Sequence, residues 1–169
     1  MRFALSICFA GCVAFGVCHP EVMGQPKYGV TVRTVNRSAL AKVKTYEWTE
    51  GQPSFDKNID ALIVAAVDRE LAARGLTKPV TERGELEVSY RSLNRTDVAV
   101  TKDKKDGNYR ESAVGTLIVD VTDRVSHSLL FGVRMDTPID KDPATLEATI
   151  NAAVAAMFER YPAPAPPKR

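Results

Sequence analysis

Two carboxylates three positions apart, Asp120 and Asp123, are the acids nearest the most β-branched run of the chain, and a pair of acids is what general acid–base hydrolysis needs. Spacing alone does not aim them at one substrate. Asp120 alternates with Val119 and Val121 on an extended run and so points away from them, to the solvated face, while Asp123 falls where the run gives way to a turn. Histidine occurs at His19 and His127 only. A single histidine in a turn makes no metal site without carboxylates converging from elsewhere, so His127 reads as a surface residue. The three cysteines, Cys8, Cys12 and Cys18, all precede residue 25. No Gly-x-Ser-x-Gly elbow and no glycine-rich phosphate loop occurs, the glycines being scattered one to a turn or strand. The expectation is a protein that is not an enzyme and uses no cofactor. A hydrolase working through Asp120 and Asp123 is the remaining catalytic alternative.

A softer feature is aromatic. Tyr46, Trp48, Tyr90, Tyr109 and Phe131 all fall on extended segments. Aromatic side chains on a sheet usually enter the core. Where two helices must cover a whole sheet, some are left bare, and they then form an apolar groove or a partner-docking face. An apolar ligand or an envelope protein is the partner this feature suggests.

The first 24 residues differ from the rest. Arg2 is a minimal basic start, Phe3–Cys18 is apolar or small except for Ser6, and Val22-Met23-Gly24 is a small-residue cleavage pattern. This is the anatomy of a secretory signal peptide cut after Gly24. Its apolar run of 16 residues is shorter than the ~20 that span a bilayer. The cut would leave a mature chain with no cysteine, hence no disulfide framework and no thiolate chemistry. Phe9-Ala10-Gly11-Cys12 is similar to a bacterial lipobox with Phe9 in place of leucine, and acylation at Cys12 would tether the domain to a membrane. Export to the periplasm or cell envelope of a bacterium is expected either way, with membrane association only if Cys12 is lipidated. Loss of the signal removes Arg2 and Glu21 and leaves the net charge at +2, which is no footprint of nucleic-acid binding.

These features sit on readable elements. Tyr28, Val30 and Val32 alternate with polar residues, Asn36-Arg37-Ser38 breaks the run, and Lys42–Trp48 resumes it, its lysines either lying along the rings or marking an edge strand. Ser54 then caps a helix whose stripe is Phe55, Ile59, Leu62, Ile63, Ala66, Val67 and Leu71. Gly75 follows as a left-handed stop, with Leu71 and Leu76 paired across it. Strands are expected from Gly84 through Arg91, the extended pattern continuing after Asn94-Arg95-Thr96 through Val98 and Val100, over Gly115–Val121, and over Ser128–Met135. The charged run 101–108 between them is a hairpin tip. Asp142 caps, and Pro143 opens, a last helix striped by Leu146, Ile150, Ala153, Val154, Met157, Phe158 and Tyr161.

Lys44-Thr45-Tyr46-Glu47-Trp48, Ala73-Arg74-Gly75-Leu76, Leu86-Glu87-Val88-Ser89-Tyr90, Gly115–Asp123 and Phe158-Glu159-Arg160-Tyr161-Pro162, taken in order, resemble the DUF4136 family over about residues 28–162. Phe131 departs from it, standing where the family often has tryptophan. The family comprises exported bacterial proteins, many of them lipoproteins, without an established biochemical role. The resemblance therefore implies a fold and a compartment and carries over no catalytic residue. The expected organisation is a signal peptide at 1–24, one α+β domain at 25–162 and a proline-rich tail at 163–169. Within the domain the order is β-β-α-β-β-β-α, a largely antiparallel sheet with both helices on one face. The expected function is a non-catalytic binding or partner-docking domain of the envelope. A lipid-anchored structural or assembly accessory is the alternative.

Overall fold

A computed structural model describes residues 29–100, 109–139 and 142–162, with the backbone alone at 98–100, 109–112 and 143. The expected signal peptide with Cys12, the expected hairpin tip at 101–108 and the expected tail at 163–169 lie outside the described residues. The elements are β1 (Gly29–Val35), α1 (Arg37–Leu40), β2 (Tyr46–Trp48), α2 (Lys57–Ala73), β3 (Leu86–Val100), β4 (Tyr109–Asp123), β5 (Leu129–Pro138) and α3 (Pro143–Phe158).

The helix ends follow from local chemistry. At the end of α2 the Leu76 amide donates to the Leu71 carbonyl and the Gly75 amide to that of Ala72, with Gly75 at φ +81°. That double closure needs a residue free of Cβ strain at Gly75, and it brings Leu71 and Leu76 together in the core. Asp142 accepts from the Ala144 amide and Pro143 opens α3, as expected. The start of α2 differs from expectation. Asp56, not Ser54, is the cap, accepting from the amides of Asn58 and Ile59, and Phe55 stands outside the helix, fully exposed. Two capping oxygens lie close together in sequence, and the carboxylate with its charge at the dipole wins. The polar break after β1 is itself a one-turn helix, α1, capped by Asn36.

Five strands form one sheet in the order β1-β5-β4-β3-β2. The sheet is mixed rather than antiparallel throughout, because β2 runs parallel to β3, with Tyr46 opposite Leu86 and Trp48 opposite Val88. The reason is α2: a helix between two strands carries the chain back to the end it left, which is how parallel neighbours are connected. β1 and β2 are opposite edges and do not pair with each other. The Glu85 carboxylate, accepting from the amides of Lys44 and Thr45, fastens the start of β2 beside β3. β3 and β4 pair in unbroken register from Leu86–Asp123 to Val100–Tyr109, so the extended pattern continues past Asn94-Arg95-Thr96 to Val100, as expected.

α2 and α3 lie on the same face and run in the same direction, Arg69 donating to Asn151 and Arg74 to the Phe158 carbonyl. Their buried residues are Ile63, Ala66, Val67 and Leu71 on α2 and Val154, Met157 and Phe158 on α3. They pack on Leu86, Val88, Val119, Val121, Phe131 and Val133 of the three central strands. Burial is thus concentrated in the C-terminal halves of both helices. The N-terminal halves, with Ile59, Leu146 and Ile150, are only partly covered.

Candidate functional site

The partial cover of the two helix starts leaves a cleft between them and the sheet. Ile59 and Ile63 of α2 and Leu146, Ile150 and Ala153 of α3 form its roof; Leu117 and Met135 form its floor. Ile139 closes one side, and Ser92, Asn94, Thr137 and Thr149 supply the polar part of the lining. Its volume is about 170 Å³, near the ~150 Å³ that receives a benzene-sized group. Among the described residues no charged one lines it. Gly115 keeps the floor low: a Cβ there would sit 3.4 Å from the Ile139 side chain. Such a lining favours an apolar group and penalises a charged one.

A second concavity lies on the other side of the same helix, where Asp60 and Val64 of α2 face Trp48 and Tyr90. The two rings are nearly perpendicular, at 86° with centroids 6.2 Å apart. Carboxylates fix them. Asp68 Oδ1 accepts from the Trp48 indole at 2.8 Å and from the Tyr46 hydroxyl at 2.7 Å, and Asp60 accepts from the Tyr90 hydroxyl. Burial, and secondarily Asp60, push the Tyr90 phenol up to about 12, and burial with Asp68 raises that of Tyr46 further. Both stay protonated donors at any physiological pH.

The face of the sheet away from the helices is ionic. Asp120 is bound by Arg33 at 2.9 Å and Arg91 at 2.7 Å, and Asp136 by Arg95 at 2.8 Å and Arg134 at 2.7 Å. Thr116 donates to Asp136 at 2.6 Å, and Asp97 holds Arg95 from the other side. The acids lie low and the bases above them: the arginine side chains are 36–43% exposed and the aspartates 9–20%. Ile118 is buried on this face because its cross-strand neighbours are Arg91 and Arg134, whose aliphatic stems cover it. Asp120 is therefore an ion-pair partner of two guanidinium groups. Asp123 is a turn former, its Oδ1 accepting from the amides of Val125 and Ser126. His127 is three-quarters exposed beside Glu87. Among the described residues no group of three or more His, Cys, Asp or Glu side chains is placed to hold a metal.

The sequence matches the family model "Domain of unknown function (DUF4136)" over residues 31–163. The chain belongs to the DUF4136 family. No curated protein matches it. The PelC dodecamer from Paraburkholderia phytofirmans is similar in fold, with a TM-score of 0.53 at 14% identity over 79% of this chain and 99% of that one. A PDZ domain protein from Parabacteroides distasonis ATCC 8503 is similar at a TM-score of 0.53 and 12% identity over 80% of this chain. The DUF4136 chain matches only 35% of the length of that protein. At these identities the likeness is one of fold alone.

Of the five strand aromatics, some of them expected to be left bare, Tyr46, Tyr90 and Phe131 are buried. Phe131 is fully buried, packed on Phe158 and Tyr161 at centroid distances of 5.5 and 5.0 Å, and Tyr46 is buried on Asp68. Both are withdrawn from any surface, because the parallel β2 and the central β5 lie under the helix pair. Trp48 and Tyr90 do come together at a concavity. Tyr109 starts β4 opposite Val100, and its side chain lies outside the described residues. Sequence reasoning missed Asp60 and Asp68. With Val64 they stand at i, i+4 and i+8 of α2, a straight row flanking the apolar stripe, and that spacing is the signal that marks them. Among the described residues of this DUF4136 domain no helix is long and apolar enough to cross a membrane.

Proposed function

We propose that this DUF4136 protein is a non-catalytic binding domain of the bacterial cell envelope that takes an apolar chain, from a small ligand or from a partner's side chain, into the cleft between its helix pair and its sheet. The uncharged cleft of about 170 Å³ carries this reading. The signal-peptide anatomy of residues 1–24 supports the compartment. The non-catalytic part rests on both oxygens of Asp120 being bonded to arginine and on Asp123 serving a turn.

The test is titration of the purified protein with dansyl-undecanoic acid, whose emission rises and shifts blue on entering an apolar site. Saturable enhancement is expected, and Gly115→Leu, which drops a side chain into the cleft beside Ile139, is expected to weaken it by about tenfold or more. A flat titration, or equal binding by the variant with its fold intact, rejects the cleft as the site. Mass spectrometry of protein recovered from the envelope is expected to find Gln25 as the first residue, whereas a diacylated Cys12 would establish the anchored alternative.

A further inference from the structure

We propose that the concavity beside α2 is a binding site for an organic ammonium group, with Trp48 as its wall, Tyr90 as its floor, and Asp60 and Glu50 as its counter-charges. It is separate from the apolar cleft. Ile59 and Ile63 line the cleft, whereas Asp60 and Val64, on the other side of the same two turns, line this one. Its volume, about 340 Å³, lies within the roughly 300–1,000 Å³ of small-molecule pockets.

The chemistry of the lining selects the ligand. Trp48, partly buried, stands at 86° to Tyr90, which is 5% exposed, and the negative π-face of an indole is the strongest neutral attractor of a cation among side chains. Asp60 and Glu50 are the only charged residues of the lining among the described residues, and both are acids. An anion would meet their repulsion, and a purely apolar group would leave them poorly solvated. An ammonium carried on carbon satisfies both the rings and the carboxylates. The walls are also set in advance. Trp48 is held by Asp68 through its indole N–H, Tyr90 by Asp60 and by the Ser54 amide, and Gly51 lies so close to the Tyr90 backbone that no larger residue fits there. Rings fixed before binding lose little freedom when a ligand arrives.

Trp48 is the one tryptophan of the chain, so its fluorescence reports this site alone. Titrations at constant ionic strength with tetramethylammonium, choline and butylammonium are expected to give a saturable change in Trp48 emission, with the neutral choline isostere 3,3-dimethylbutanol at least about tenfold weaker. Preference for the quaternary or for the primary amine identifies the source of the group, and either order supports the site. Asp60→Asn keeps an acceptor for Tyr90, and Glu50→Gln alters an exposed residue. Combined, they are expected to raise the dissociation constant about tenfold while leaving dansyl-undecanoate binding in the cleft unchanged. A flat response to all three cations, equal binding of the neutral isostere, or undiminished binding by the double variant overturns the assignment.

Discussion

Phe131→Ala is expected to destabilise the domain by about 3–5 kcal/mol. The ring is wholly buried near the start of β5, against Phe158 and Tyr161, with Val121 opposite it on β4. Its neighbours come from both sides of the sheet–helix interface and cannot all collapse into the space it leaves, so the cavity cost adds to the lost transfer energy. A single domain has only about 5–15 kcal/mol in hand, so the variant should sit near the edge of folding at 37 °C. Phe131→Leu keeps most of the volume and should lose only about 1–2 kcal/mol. Urea denaturation measures both. A loss below about 1 kcal/mol for the alanine variant would mean that the helices close over the gap, and the fixed helix–sheet packing described above would be wrong.

Asp136→Asn should have the second-largest effect, and it should depend on pH. Arg134, then Thr116 and Arg95, hold the Asp136 carboxyl at about 2 against an ordinary 3.8. The native state therefore favours the anion. The stabilisation is fully present above the unfolded value, near pH 4 and upward, and is lost as pH falls from there through about 2. The size of the shift corresponds to about 2 kcal/mol. Neutralising the acid also leaves Arg134 without its counter-charge and Arg95 with Asp97 alone. Breaking a fully buried pair costs about 3–5 kcal/mol, but Arg95 and Arg134 are 36% and 39% exposed and can rehydrate. A net loss of about 2–3 kcal/mol at pH 7 follows. Glu85 and Asp123 are also held below their ordinary values, mainly by the Lys44 and Ser126 amides, so the wild-type acid limb is a sum. The difference between wild type and variant isolates Asp136: it should be constant above about pH 5 and shrink toward pH 2. A difference that does not change with pH would place the effect in packing rather than in charge.

What was legible beforehand was local. The Arg74-Gly75-Leu76 ending, the Asp142-Pro143 start and the Asp123 turn are each decided by a few adjacent residues, and each is found as the sequence implies. The lysines of residues 42–44 leave β2 open to two readings, stems along the rings or an edge strand, and β2 is an edge. What escaped depends on partners far away in the chain. Three residues of β2 carry no record of whether their neighbour runs with or against them; the helix that follows carries it. Arg95 reads as one polar residue of Asn94-Arg95-Thr96, and nothing local marks it as the partner of Asp136 two strands away in the sheet. The five aromatics were correctly placed on strands, but alternation could not rank Phe131 under the helices and Trp48 at the margin. That ranking follows from where α2 and α3 cover the sheet, and nothing local to either ring encodes it.

The arrangement of guanidinium above carboxylate on the open sheet face restricts how this domain can meet other proteins. Stacking a second sheet there would strip water from four arginines whose counter-ions already lie beneath them, with no new acid to receive them. The broad side of the molecule is in this sense self-insulating: it tolerates crowding without sticking and discourages dry, layered aggregates. Association is thereby steered away from the flat expanse, toward the strand edges and the two hollows flanking α2.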